Sequence, residues 1–108
     1  MTESIPATMK AVVTCGHGGL DMLDYTDVPT PTPGAGEVLI RVTACGLNNT
    51  DVWNREGRYG TDRDPEARMG VGRVPGNWPR IQGCDVVGRI AAVGAGVAPA
   101  RIGERVLC

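Results

Sequence analysis

Two short stretches hold most of the chemically capable side chains of this 108-residue chain. One is Cys45-Gly46-Leu47-Asn48-Asn49-Thr50-Asp51, and the other is Gln82-Gly83-Cys84-Asp85. A carboxamide both donates and accepts hydrogen bonds, so Asn48 and Asn49 could orient a carbonyl group. The Thr50 hydroxyl could donate a proton to an oxygen atom. Asp51 and Asp85 supply carboxylates, and Cys84 supplies a thiol. Each also has a purely structural reading. Asn48 and Asn49 could serve turn and cap hydrogen bonds only, and Thr50 could be an N-cap hydroxyl. Asp51 could be a buried acceptor of backbone donors, and Cys84 a small buried hydrophobe.

The elements that must position these groups are short. Met9 to Thr14 reads as a first strand, followed by a turn at Cys15-Gly16-His17-Gly18-Gly19. Leu20 to Val28 reads as a second strand, and Pro29-Thr30-Pro31-Thr32-Pro33-Gly34 as a stiff, extended connector. Glu37 to Ala44 is the clearest strand: Val38, Ile40 and Val42 alternate with Leu39, Arg41 and Thr43, which predicts one buried face. Asn49 or Thr50 is expected to cap a helix through Glu56, with Gly57 stopping it. Residues 58–77 carry scattered charges and glycines and read as a long loop. Val86 to Val93 is a further strand, and Gly88 inside it predicts a bulge or a close backbone approach. Gly94-Ala95-Gly96 turns the chain, and a last strand begins after Gly103. About five strands, one short helix and many turns make a mainly β protein, a small or partly open β-barrel.

Composition narrows the function. The chain has 16 Gly, 8 Pro and no Phe, which suits short strands and tight turns. Its net charge is −1 and its ten arginines are interleaved with acids, so neither nucleic acid nor an anionic membrane is an expected partner. The first residues lack a basic region followed by an apolar one, and no run nears the ~20 apolar residues of a membrane helix. Cys15, Cys45, Cys84 and Cys108 show no CxxC pairing and read as reduced thiols, so a cytoplasmic location is expected. Gly70-Val71-Gly72 and Gly94-Ala95-Gly96 do not complete GxGxxG, because Pro75 and Pro99 stand at the sixth positions; both read as turns.

Taken in order, Gly18-Gly19, Asp27-Val28-Pro29, Pro33 to Val42, Gly46 to Asp51, Gly83 to Gly94 and Gly103-Glu104-Arg105-Val106 resemble the N-terminal, GroES-like domain of medium-chain dehydrogenase/reductases. The resemblance implies a GroES-like, partly open β-barrel with one short helix spanning residues 1–108. It further implies truncation at the C-terminal end and a Rossmann domain absent from these residues. Zinc members of that superfamily carry a metal-binding Cys where Asn48 stands and a His where Cys84 stands. An amide is a poor zinc ligand, so the altered positions argue against catalytic zinc and leave no metal ligands to assign. The resemblance is to the zinc-independent, quinone-oxidoreductase-like branch. It implies NADP or NAD as cofactor and hydride transfer to or from a carbonyl, enone, quinone or alcohol. The chain alone would then be inactive, and the whole enzyme a homodimer or homotetramer acting on a small molecule. Asn48, Thr50 and Asp85 are the expected catalytic residues, with Asn48 also facing the nicotinamide. Asn49, Asp51, Trp53 and Cys84 are expected to bind substrate. Two other readings remain: a zinc alcohol dehydrogenase domain with Cys84 as an atypical ligand, and a stand-alone, non-enzymatic GroES-like module.

Overall fold

The computed structural model describes residues 4–58 and 78–108. Five strands run in chain order: β1 (Thr8–Thr14), β2 (Leu23–Pro29), β3 (Val38–Cys45), β4 (Val86–Val93) and β5 (Arg105–Leu107). One α-helix, α1 (Asn49–Glu56), follows β3. Single 3-10 turns occupy Leu20–Met22 and Pro99–Arg101. The second expected strand therefore starts three residues late, because its first three residues coil. The loop expected at residues 58–77 lies, beyond Arg58, outside the described residues, as does the Gly70-Val71-Gly72 turn. No helix among the described residues is long and apolar enough to cross a membrane.

Among the described residues the strands form two sheets and no closed barrel. β1 pairs with β2, and β3-β4-β5 form an antiparallel sheet. The chain divides into two compact units. One comprises Met1–Met9, Val28–Gly46 and Cys84–Cys108; the other comprises Lys10–Asp27 and Leu47–Gly83.

The three-stranded sheet belongs to the first unit. Its register shifts twice, between Leu39 and Ile40 and between Val42 and Ala44. The first shift leaves Ala91 as the extra residue on β4, and the second leaves Thr43 as the extra residue on β3. Two bulges on opposite strands restore the count, so the ladder continues to Cys45 opposite Val86. The Thr43 hydroxyl donates to the Val87 carbonyl at 3.1 Å, which occupies an acceptor beside the bulge. Gly88 sits at the same place for a steric reason: a Cβ there would collide with the Arg41 carbonyl oxygen. The expected bulge and the expected close approach are thus both present.

At the other end of β3 and β4 two identical Gly-Ala-Gly turns meet. The Glu37 N–H donates to the Gly34 carbonyl at 3.0 Å and the Val97 N–H to the Gly94 carbonyl at 3.2 Å. The third residue of each turn is a glycine with positive φ, 77° at Gly36 and 84° at Gly96, where L side chains are disfavoured. The Gly36 N–H donates to Ala95 and the Gly94 N–H to Glu37, both at 2.8 Å. A Cβ on Gly94 would strike the Gly34 carbonyl, so the second turn can dock only as glycine.

Burial along β3 departs from the expected alternation. Val38, Leu39 and Ile40 are half-buried, and every residue from Arg41 onward is exposed, Val42 at 51%. Val42 stands opposite Gly88, which has no side chain to cover it. The most buried apolar residue of this unit is Ile90 on β4, at 2% exposure.

In the second unit Val13 and Thr14 are the buried end of β1. Thr14 forms an antiparallel bridge with Arg80, with N–H···O distances of 2.8 and 3.0 Å. Lys10 on β1 pairs with Asp27 on β2 at 3.0 Å.

Candidate functional site

Helix α1 is about two turns long, and its ends are fixed by polar groups. Its N-cap is Asn48, in extended conformation (φ −124°, ψ 160°), and not Asn49 or Thr50 as expected. The reason is a capping box. The Asp51 carboxylate accepts the Asn48 N–H at 2.9 Å, and the Asn48 side chain faces the Asp51 N–H, which also donates to the Asn48 carbonyl at 3.0 Å. Asp at the third helical position reaches back one residue farther than a reading based on the run of hydroxyl and amide residues suggests.

This geometry sorts the expected site residues. Asn48 has its carboxamide turned toward the N–H of the third helical residue. Asn49 and Thr50 are the first two helical residues and both are exposed, so Thr50 does not act as the N-cap. Asp51 is half-buried and its carboxylate holds a backbone donor, the structural reading of that residue. Trp53 is half-buried on the same helix. Cys84 and Asp85 belong to the first unit, just before β4, and both are exposed. The structural reading of Cys84 as a buried hydrophobe therefore fails. The Asp85 carbonyl accepts the Gly46 N–H at 2.8 Å, and a Cβ on Gly46 would press on Asp85 Cβ at 3.1 Å. Asn48, Asn49, Thr50, Asp51 and Trp53 are thus gathered on one unit and Cys84 with Asp85 on the other.

The helix ends as expected at Gly57. Its φ of 80° allows a Schellman arrangement, with the Gly57 N–H on the Asn54 carbonyl (3.2 Å) and the Arg58 N–H on the Trp53 carbonyl (2.9 Å). A second reason for glycine is contact: a Cβ there would lie 3.2 Å from the His17 ring. Arg55, one of two buried polar residues among those described, ties the last turn to the glycine-rich loop after β1. Its Nη1 donates to the Gly18 carbonyl at 2.6 Å, and its own carbonyl accepts the Gly18 N–H at 2.8 Å.

The segment Trp78 to Gln82 contributes groups that pattern reading missed. Arg80 lies over the Trp78 ring at 4.1 Å, and the His17 ring meets Trp78 edge-on at 5.0 Å. The Arg80 guanidinium donates to Gln82 Oε1 at 3.2 and 3.3 Å, and Gln82 Nε2 donates to the Asp51 carbonyl at 3.1 Å. Partial burial lowers the Arg80 pKa from its ordinary value, and the residue remains a cation at neutral pH. Among the described residues no three of His, Cys, Asp and Glu come together as a cage for a metal ion, and none of the four cysteines forms a disulfide.

Known proteins place the chain in a family. The family model of the alcohol dehydrogenase GroES-like domain matches residues 34–108. The synaptic vesicle membrane protein VAT-1 homolog of Rattus norvegicus is 36% identical over 101 residues, which are 92% of this chain and 22% of that protein. The quinone oxidoreductase of the same species is 36% identical over 101 residues, 93% of this chain and 27% of its own. Among solved structures, a candidate alcohol dehydrogenase of Sinorhizobium meliloti superposes with a TM-score of 0.80 at 57% identity, covering 95% of this chain and 29% of that one. A mycobacterial protein complexed with NADPH gives a TM-score of 0.71 at 34% identity, covering 92% and 27%. The chain therefore spans between 22% and 29% of the length of these four proteins. The matched residues include three of the five strands, β3, β4 and β5, together with helix α1, and the chain belongs to the alcohol dehydrogenase GroES-like domain family.

Proposed function

We propose that these residues form the substrate-side domain of an NAD(P)-dependent oxidoreductase that works without catalytic zinc. The reaction is hydride transfer between the nicotinamide and a carbonyl, enone, quinone or alcohol. Relatives named as alcohol dehydrogenases and quinone oxidoreductases support the reaction class, and the NADPH complex of one relative supports the cofactor. Nucleotide binding is assigned to the length that the relatives have beyond the matched region, and the active form to a homodimer or homotetramer.

The observation that carries the reading is the state of Asn48. Its side chain is committed to the helix N-terminus in a capping box, and a carboxamide is a poor match for zinc, which prefers thiolate, imidazole or carboxylate. Held that way, Asn48 is a fixed donor for a substrate carbonyl or for the nicotinamide carboxamide. The cofactor, when bound, supplies the hydride. Thr50 and Asp85 complete the proposed catalytic set, with Thr50 donating to a substrate oxygen. Asn49, Trp53 and Cys84 form the proposed wall that holds the acceptor, and Asp51 acts behind Asn48.

The test uses the full native protein, with NADPH as donor and 1,4-benzoquinone or cyclohex-2-enone as acceptor. The expected result is turnover by zinc-free protein, with Asn48→Ala lowering kcat by about tenfold or more and Cys84→Ala raising the acceptor KM without abolishing turnover. Stoichiometric zinc that disappears together with activity in Cys84→Ala overturns the reading in favour of a zinc enzyme with an atypical ligand. A native product without any nicotinamide-dependent turnover, running as a defined oligomer, favours a binding module.

A further inference from the structure

We propose that Gln82 is the positioning residue for Asn48, acting through the Asp51 backbone, with Arg80 and Trp78 as its anchor. This rests on the proposed role of Asn48.

The argument follows the hydrogen bonds. The carboxylate of Asp51 accepts the Asn48 N–H at 2.9 Å. The Asp51 N–H also donates to the Asn48 carbonyl at 3.0 Å, so the two backbones are coupled directly. The first turn of a helix is its least constrained part, because its N–H groups have no partner within the helix. An eight-residue helix is also too short to be stable by propensity alone. A donor on the Asp51 carbonyl, coming from 31 residues away in sequence, restrains that turn from outside the helix.

Gln82 is suited to this because both ends of its carboxamide are engaged. Nε2 donates to Asp51, and Oε1 accepts two bonds from Arg80, which fixes which end points where. Arg80 is itself held on three sides. Its backbone bridges Thr14, one of the most buried residues of the unit, and its guanidinium lies on Trp78. Trp78 meets His17, and His17 lies against Gly57 at the far end of α1. Thr14, His17, Asn48, Asp51, Gly57, Trp78, Arg80 and Gln82 all belong to the same unit. The segment 78–82 thus reaches the first turn directly, through the Gln82 donor, and the far end of α1 by way of His17.

Gln82→Glu separates the two halves of this contact. A carboxylate keeps, and strengthens, the acceptor for Arg80 but has no donor for the Asp51 carbonyl. In the native protein, amide hydrogen exchange at Asn48 and Asp51 is expected to speed up about tenfold in Gln82→Glu, since both donors sit on the loosened turn. With NADPH and 1,4-benzoquinone, kcat is expected to fall about tenfold while KM stays within about threefold, the signature of lost alignment. The thermal midpoint is expected to hold, because the Arg80 contact is retained. Gln82→Met, which loses both contacts, is expected to lower kcat equally and the thermal midpoint as well.

Native exchange and native kcat in Gln82→Glu, beside an impaired Asn48→Ala, would overturn the positioning role and leave the role of Asn48 standing. A native kcat in Asn48→Ala would instead overturn the role of Asn48. Faster exchange in Gln82→Glu would then leave the brace as a purely structural feature, and the positioning proposal would fall with the role it serves.

Discussion

The end of the β3–β4 ladder and the two ends of α1 face the same task, which is to fix backbone in a chain with few large apolar side chains. The sheet does it by close approach. Gly88 and Gly94 let a carbonyl oxygen of the neighbouring strand or turn come where a Cβ would otherwise be. The helix does it by reach. Asp51, Arg55 and Gln82 each carry a polar group to a backbone atom, two of them across more than thirty residues. The difference lies in tolerance. A close approach is lost outright when any atom is added, because interiors do not yield by an ångström without strain. A polar tie is lost in part, because a shorter or differently charged side chain, or water, can replace some of it.

The sharpest way to break the comparison is on the sheet side. Gly88→Ala is expected to cost about 3 kcal/mol or more, since the new Cβ meets the Arg41 carbonyl and Ile40 together. The urea midpoint measures it, with an unchanged slope showing that the compactness of the unfolded chain is the same. Gly36→Ala is the control. Nothing lies within 4 Å of its Cβ, and only the positive φ of 77° opposes it, so about 1 kcal/mol is expected. Equal costs at the two positions would mean that the close approach at Gly88 relaxes, and the contrast between the regions would fail.

On the helix side, Arg55→Ala is expected to cost about 2 kcal/mol. It removes a charged donor from the Gly18 carbonyl and leaves that carbonyl without its guanidinium partner. Arg55→Lys should recover roughly half, because an ammonium can reach one acceptor but lacks the planar fork. The same urea midpoints read both. Full recovery by Lys would mean that charge alone matters there; no recovery would make this tie as intolerant as the glycine contacts, and the comparison would collapse.

The two regions also differ in how far the amino-acid pattern revealed them. The sheet was readable because its information is local. Val86–Val93 is the strand expected from its apolar run, and Gly88 within it marked the contact with β3. The Gly94-Ala95-Gly96 turn was equally plain, though its docking on a twin turn at Gly34–Gly36 was not. The alternation expected for β3 failed at Val42, because periodicity reports a side chain's face and says nothing of a glycine opposite it. Around α1 the stop at Gly57 was readable and the cap was not. Asn48, Asn49 and Thr50 are all good caps by type, and only the reach of Asp51 back to Asn48 decides among them. Gln82, Arg80 and Arg55 gave no signal, since the ties that matter run to the Asp51, Thr14 and Gly18 carbonyls, 31 to 66 residues away, and every residue possesses a carbonyl. The proposed site was legible as two stretches of polar residues, and the split of those stretches between two units was not.

The smallest expected effect belongs to a third kind of tie, one that neither touches backbone nor escapes water. Arg101 grips Glu104 through two bonds, Nε to Oε2 at 2.8 Å and Nη2 to Oε1 at 2.9 Å, at side-chain exposures of 47% and 45%. The hydrogen bond from Arg101 and its positive charge hold the Glu104 carboxyl below its usual range. A carboxyl whose pKa is depressed on folding stabilises the fold at pH values above its unfolded pKa. That contribution is lost as pH falls through the lower, folded value. Glu104→Gln should therefore have a thermal midpoint slightly below that of the unaltered protein at pH 7, and the gap should close in acid. Because the pair sits in water, added salt should close it as well. A gap that persisted in acid would mean that Glu104 acts through its shape and its turn and not through its charge. A gap as large as that of Arg55→Ala would place this exposed pair on the same footing as the buried tie.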